Sequence, residues 1–259
     1  MGRGRLSRIL AVAANTFRET VRERVLYNLV FFALLMTLSG LLLAQLSIRQ
    51  DEKIIKDLGL AAMDLFGTLI ALFVGVGLVS KEIERRSLHP LLAKPLSRDE
   101  FLLGKFAGLG FTLLVNVGLM TGGLYATLLA LRRGADPALL KAVFAIYLAL
   151  LVTVALALLL SILTSAAVAS VSTLCLVIAG RYSDVILNLA DVVPGMPAWA
   201  LRAVMILIPN FRNFDLKDRV VYGDPVSFGD LGWITAYAVA YTGTVITLAV
   251  IAFRRRELT

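Results

Sequence analysis

The chain has 259 residues, of which 59% are hydrophobic and only 17% are charged, and its net charge is +8. Average soluble domains carry about a quarter of their residues as charges, so this composition excludes a soluble globular protein. A single cysteine, Cys175, and a single histidine, His89, exclude a disulfide framework and a metal cage built from the cysteines and histidines of this chain.

The amino-terminal segment, residues 1–25, is predicted to form an amphipathic helix. Its apolar residues recur mostly at spacings of three and four, with arginines on the other face. The apolar run after Arg3, Arg5 and Arg8 is shorter than the apolar region of a signal peptide, and further arginines follow it directly. We therefore expect an uncleaved helix that lies in the inner headgroup layer and braces the first span.

Six apolar runs of roughly 20 residues predict an all-α integral membrane protein with six transmembrane helices. The runs cover residues 26–48, 58–80, 106–131, 142–163, 164–180 and 231–253. One straight helix over 142–180 would be roughly 58 Å long, about twice the thickness of the hydrocarbon core. A tight turn is therefore predicted between the fourth and fifth spans. Because the spans use most of the chain, we expect a single transmembrane domain over 1–259.

The segment between the second and third spans, residues 81–100, is predicted to be structured. Glu82 and Arg86 are four residues apart in the order that stabilises a helix. Ser97 and Glu100 have the S-x-x-E spacing of a capping box at the start of the third span. Composition alone leaves a plain charged linker as an equal alternative.

The third span contains two pairs of glycines at G-x-x-x-G spacing, Gly104 with Gly108 and Gly118 with Gly122. Such small residues allow a neighbouring helix to approach closely, so we interpret both pairs as packing sites. Before the last span, residues 181–230 hold four of the seven prolines. Residues 199–208 are apolar except for Arg202 but too short to cross, which predicts a re-entrant or interfacial helix on the outer side, followed by an ordered loop.

The distribution of basic residues predicts the orientation in the membrane. With the amino terminus inside, the inner segments hold fifteen of the 26 lysines and arginines but only seven of the 18 acids, so the whole excess of +8 lies on the inner side. The positive-inside rule therefore places both termini in the cytoplasm. The same asymmetry accounts for the basic composition, so the excess of lysine and arginine does not indicate binding to nucleic acid. The two tryptophans, Trp199 and Trp233, then fall near the outer interface.

Residues 80–110 read SKEIERRSLHPLLAKPLSRDEFLLGKFAGLG and resemble the membrane subunits of type-2 ABC exporters. The hallmark of that family is E-x-E-R-x-[ST], then L-L-x-x-P-[LV]-S-R, then [FY]-x-x-G-K at the start of the third span. The matching residues are Glu82, Glu84, Arg85, Ser87, Leu91, Leu92, Pro95, Leu96, Ser97, Arg98, Phe101, Gly104 and Lys105. The resemblance extends over essentially the whole chain through the six-span order. His89-Pro90 departs from it, because relatives more often carry a continuous helix there.

The resemblance implies a bacterial-type inner-membrane permease that dimerises, with a second copy or a paralogue, and is driven by two cytoplasmic ATP-binding subunits. In that family the segment after the second span docks on the ATPase as a coupling helix, and the turn between the fourth and fifth spans makes a lesser contact. The docking residues implied for this chain are Glu82, Glu84, Arg85, Arg86, Leu88, Leu91, Leu92, Lys94, Pro95 and Arg98, with Thr164 and Ser165 in the turn.

The chain contains no G-x-x-x-x-G-K-[ST] motif, so we predict that it is not itself an ATPase. ATP and Mg²⁺ would be bound by the partner subunits, and accessory proteins outside the membrane are a further expected class of partner. The substrate is not predicted, and candidate residues of a transport path are Asp64, Asn116, Tyr237 and Tyr241. For Asp64, pairing with Arg181 or Lys56 is an equally strong interpretation, and the other polar groups are more often structural.

Two other functions remain open at this point. One is a transporter driven by an ion gradient, with Asp64 as the coupling acid. That class often carries inverted repeats, and spans one to three differ from spans four to six in loop length and charge. The other is a subunit that transmits mechanical signals in a surface or motility apparatus and uses the same docking segment.

Overall fold

The fold is taken from a computed structural model, which describes residues 2–22, 31–32, 51–84, 97–132, 134, 136–190 and 208–255. The helices in these ranges are α1 (Gly2–Arg22), α2 (Asp51–Glu84), α3 (Arg98–Ala130), α4 (Leu139–Leu163), α5 (Ala166–Arg181), α6 (Ser183–Ala190), a 3₁₀ helix (Phe211–Phe214), α7 (Lys217–Tyr222) and α8 (Phe228–Arg255). The described residues contain no strand, which confirms the all-α class. The inner end of each helix is the end that the charge distribution predicts to face the cytoplasm, and the outer end is the opposite one.

Within the described ranges, four helices are long and apolar enough to cross a membrane: Glu52–Leu78 within α2, then α3, α4 and α8. They correspond to the second, third, fourth and last predicted spans. The fifth predicted span forms α5, which is apolar but has 16 residues. Of the first predicted span, 26–48, only Phe31 and Phe32 belong to the described residues.

The predicted turn between the fourth and fifth spans is present. Helix α4 ends at Leu163, Thr164 and Ser165 are extended, and α5 begins at Ala166. The Thr164 hydroxyl donates to the carbonyl of Leu160 at 2.8 Å and so closes the last turn of α4. Two extended residues are enough to reverse the chain, so α5 packs back against α4.

Helix α4 forms the centre of the core because it contacts α2, α3, α5 and α8. Its sequence is apolar all round, as expected for a helix that is surrounded by others. Helices α3 and α8 bury only one face each, and large apolar side chains such as Phe111, Leu119 and Leu248 are exposed on their other faces. Such faces suit contact with lipid chains or another subunit.

Helix α1 packs lengthwise against the inner half of α3. Arg8 contacts Glu100, Val12 faces Gly104, Thr16 faces Gly108, and the rings of Phe17 and Phe111 lie 5.0 Å apart. Successive residues of α1 contact successive residues of α3 in the same order along the chain. The two helices are therefore parallel and lie side by side. The sequence predicted a helix lying in the inner headgroup layer, and this lengthwise packing on α3 was not part of that prediction.

The two glycine pairs of α3 differ in their surroundings. A Cβ atom on Gly108 would lie 2.6 Å from the carbonyl oxygen of Ala13, and one on Gly104 would lie 2.6 Å from the Cβ of Val12. The packing interpretation is therefore confirmed for this pair, because the absence of side chains lets α1 approach. Around Gly118 and Gly122 a Cβ would meet no atom within 4 Å.

The outer loop folds back onto the helix ends. Most of the predicted re-entrant helix over 199–208, including Trp199, lies outside the described residues, whereas residues 209–227 form an ordered cover. Its apolar side chains are buried against α2, α4 and α5: Phe211, Phe214, Leu216, Val220, Val221 and Val226. Trp233, in the first turns of α8, is exposed, as expected for a residue near the interface.

Candidate functional site

Helix α3 begins at Arg98, within the last residues of the predicted docking segment 81–100, and its first turn has the predicted capping box. The Ser97 side chain accepts a hydrogen bond from the Glu100 backbone N–H at 3.3 Å, and the Ser97 N–H donates to the Glu100 carboxylate at 3.1 Å. Two of the otherwise unpaired amide groups of the helix start are thereby satisfied. The chain therefore enters α3 in a fixed geometry.

Glu100 also ties α3 to α1. Its carboxylate is almost fully buried and accepts from Arg8 Nη2 at 3.0 Å, with Arg5 Nε at 3.8 Å. A buried carboxylate requires such partners, since an unpaired charge away from water is strongly unfavourable. One side chain thus joins the helix start to the amino-terminal helix.

Arg98 and Asp99 connect the same turn to the end of α8. Arg98 Nη1 donates to the carbonyl oxygens of Phe253 and Arg254 at 3.0 and 3.1 Å. The Asp99 carboxylate accepts from Arg254 Nε at 2.9 Å and also contacts its Nη2. A cation at the last carbonyls of a helix is favourable because those groups lack partners and carry partial negative charge. We call Arg98, Asp99 and Glu100, with Arg8 and Arg254, the inner clamp.

The other predicted docking residues are only partly described. Arg85, Arg86, Leu88, Leu91, Leu92, Lys94 and Pro95 lie outside the described residues. Glu82 and Glu84 belong to the last turn of α2, at the start of segment 81–100. Thr164 and Ser165 form the predicted turn at the inner end of α4 and α5.

Of the predicted path residues, Asp64 is held in an outer ion cluster. Its carboxylate accepts a hydrogen bond from Arg181 Nη2 at 2.6 Å and also contacts Arg181 Nη1. Lys217 Nζ lies 3.6 Å from the same carboxylate. The pairing with Arg181 was one of the two alternatives for Asp64, and the structure favours it. The cluster joins α2, the end of α5 and α7. Lys56 instead pairs with Glu52 at 2.6 Å and Asp136 at 3.0 Å.

Tyr237 and Tyr241 pack with their ring centroids 6.1 Å apart on one face of α8. The Tyr237 hydroxyl accepts a hydrogen bond from the backbone N–H of Asn210 at 2.8 Å, so it anchors the outer loop. Asn116 is buried in α3, and its amide oxygen and nitrogen have no partner among the described residues. Asp64 lines a small cavity with Phe214, and the Phe214 ring lies 5.9 Å from that of Tyr237, so these two candidates share the outer loop.

The inner clamp contains residues that sequence reasoning did not assign to each other. Arg8 and Glu100 are 92 residues apart, and Arg254 and Asp99 are 155 residues apart. The capping box identified Glu100 as a local cap but gave no signal for its second partner. A further signal for partners at this position was the density of charged residues at the start of the third span.

The part of the chain that the structure describes is thus a helical, multi-pass membrane protein whose third long helix is clamped at its inner end to the first and last helices. The model of the family described as ABC-2 family transporter protein matches residues 10–195. The chain therefore belongs to the ABC-2 transporter family, and membership implies partnership with an ABC ATPase subunit. The comparison with curated proteins finds no match.

Proposed function

We propose that the chain is the permease subunit of an ATP-driven ABC exporter. Two copies, or one copy with a paralogue, would assemble with two cytoplasmic ATPase subunits and move a substrate by alternating access. ATP and Mg²⁺ would be bound by those ATPase subunits. The observation that carries the proposal beyond family membership is the inner clamp, which fixes the end of the docking segment to two other helices.

The clamp supports this function for a mechanical reason. An ATPase that closes on ATP moves a membrane subunit only through a stiff element that contacts both. Glu82, Arg85, Arg86 and the leucines of segment 81–100 would dock on the ATPase, and the turn at Thr164 and Ser165 would add a smaller contact. Displacement of the docking segment would then act on α1, α3 and α8 together, because Arg98, Asp99 and Glu100 join them.

The outer ion cluster favours this proposal over a transporter driven by an ion gradient. A coupling carboxylate must bind and release its ion during each cycle, whereas Asp64 is already paired with Arg181 and lies near Lys217. Asp64 is therefore better suited to hold the outer loop than to carry a proton.

Co-purification from the native membrane tests the assignment. The tagged full-length chain should bring down an ATPase subunit that contains a Walker motif, identified by mass spectrometry. Arg85→Glu should abolish the association, because it reverses a charge in the predicted docking segment. Arg132→Glu, at the outer end of α3 where the side chain is exposed, is the matched control and should leave it intact. Recovery of no ATPase, or equal recovery with Arg85→Glu, would contradict the proposal.

A further inference from the structure

Helices α3 and α8 meet at their inner ends. There the rings of Phe101 and Phe253 stack with centroids 6.2 Å apart, and the clamp bonds of Arg98 and Asp99 lie beside them. Farther from the inner end the two helices are separated by a groove whose floor is formed by α4. The groove has a volume of about 310 Å³, which is at the small end of the range for ligand pockets.

The wall of this groove is apolar. Leu103 and Phe106 come from α3, Leu148 and Leu151 come from α4, and the α8 residues are Ala238, Val239, Thr242, Gly243 and Ile246. Thr242 is the one residue in this lining with a polar side chain, and no charged residue belongs to it. An ion, a sugar or a peptide would lose its hydrogen bonds to water there without replacement. The lining therefore selects an apolar chain.

Charge at the inner end of the groove identifies the rest of the occupant. Arg254 lies eleven residues after Gly243, which is three helical turns or about 16 Å along the same face of α8. Arg254 and Arg255 are exposed; Arg254 is paired with Asp99, and Arg5 lies near the same carboxylate, so the bases at this point outnumber Asp99 three to one. These bases complement a phosphate at the membrane surface. The described portions of α3, α4 and α8 are long and apolar enough to cross a membrane, so the groove lies at the depth of the lipid chains.

We propose that the groove between α3, α4 and α8 binds one acyl chain of an anionic phospholipid, whose phosphate lies at Arg255, beside the Arg254–Asp99 pair. Gly243 gives the groove its width, since a Cβ atom built there meets no atom within 4 Å. The proposal requires only that the helices cross a membrane and does not depend on ATP-driven export.

Native mass spectrometry of the full chain tests the site. The protein is released from nanodiscs that contain phosphatidylglycerol and phosphatidylethanolamine, and retained lipid is counted after bulk lipid has been stripped. The wild type should retain one phosphatidylglycerol per chain. Gly243→Leu, which fills the groove, should lower this occupancy at least about tenfold. Gly232→Leu, at an equally open glycine of the same helix outside the groove lining, should retain lipid as the wild type does.

A second variant tests the headgroup. Arg255→Gln should leave one bound lipid but lower the preference for phosphatidylglycerol over phosphatidylethanolamine, because one cation is removed. Equal melting temperatures of the two glycine variants establish that Gly243→Leu acts on the groove and not on folding. Wild-type occupancy in Gly243→Leu would overturn the site, and so would equal loss in both glycine variants. An unchanged lipid preference in Arg255→Gln would overturn the placement of the phosphate.

Discussion

At the scale of single residues, Asp64 shows how a buried charge stabilises the outer end. Its carboxylate pairs with both Nη atoms of Arg181, and Lys217 lies between it and Asp215, so its removal takes away the carboxylate of Arg181 and one of the two near Lys217. We expect Asp64→Asn to lower the free energy of unfolding by about 2–3 kcal/mol, which is below the value for a fully buried pair because Arg181 is partly exposed. Thermal unfolding in detergent measures the change.

The control for this variant lies on the same helix. Asp57→Asn changes an exposed carboxylate two turns earlier and should leave the melting temperature within about 2 °C of wild type. Asp64→Asn combined with Arg181→Gln should recover part of the loss, since the unpaired charge is removed as well. Equal melting of Asp64→Asn and wild type would show that the outer cluster does not contribute to stability.

Asp136 makes the stability of the outer end depend on pH. Burial raises the pKa of its carboxyl, but the hydrogen bond from the Ala138 N–H and the Lys56 ammonium outweigh burial, so the pKa lies below its ordinary value. A lowered pKa means that the stabilisation is complete above about pH 4 and is lost as the pH falls through the folded-state value. We expect the melting temperature of wild type to exceed that of Asp136→Asn by a constant amount from pH 7 to 5. The difference should shrink below pH 4, and a difference that grew there would contradict the assignment.

At the scale of elements, the contact of α1 with α3 depends on glycine. In Gly108→Ala the new methyl group would lie 2.6 Å from the Ala13 carbonyl oxygen, so α1 must move. We expect the free energy of unfolding to fall by about 1–3 kcal/mol and tryptic cleavage at Arg18 to become faster. In Gly118→Ala the new methyl group would meet no atom within 4 Å. Because alanine favours the helix more than glycine, the free energy of unfolding should rise by up to about 1 kcal/mol. Cleavage of Gly108→Ala at the wild-type rate would show that α1 is held by its ion pairs alone.

The elements were more predictable from sequence than their contacts. Apolar runs predicted α2, α3, α4 and α8, and the spacing of Ser97 and Glu100 predicted the cap, because these signals are local. The pairing of Glu100 with Arg8 was not predictable, since an amphipathic pattern defines a face but not the helix that covers it. Lys217 likewise reaches Asp64 only because the outer loop folds back.

At the scale of the whole molecule, the two ends differ in charge, and this difference predicts the orientation. In a Cys175→Ser background, Asp224→Cys places a thiol at an exposed position of the outer loop, and Arg255→Cys places one at the inner end of α8. A membrane-impermeant maleimide should label the first thiol in intact cells and the second only after permeabilisation. The reverse pattern would show that both termini face outwards.

The inner clamp and the outer cluster divide the molecule into parts that are held differently. The clamp joins α1, α3 and α8, whereas the outer cluster joins α2, α5 and α7. Helix α4 contacts α3 and α8 of the first group and α2 and α5 of the second, and α2 also packs directly on α3. If the docking segment moves with α3, the first group should move as one body past α2 and α4.

Distances between spin labels on α1 and α8 test this rigid-body motion. The native thiol is removed by Cys175→Ser, and the labels are attached at Ala11→Cys and Leu248→Cys. In the complex with its ATPase, the distribution of distances between the two labels should be narrow. It should stay unchanged when a non-hydrolysable ATP analogue binds. Asp99→Asn should broaden the distribution when the analogue is bound, because the ion pair with Arg254 is lost, and the variant complex should still hydrolyse ATP in a separate assay. The exchange Asp99→Arg with Arg254→Asp should restore the narrow distribution. Asp230→Asn, which breaks the pair with Arg219 at the opposite end of α8, should leave the distribution narrow. A wild-type distribution in Asp99→Asn would show that the clamp does not hold the helices together during the cycle.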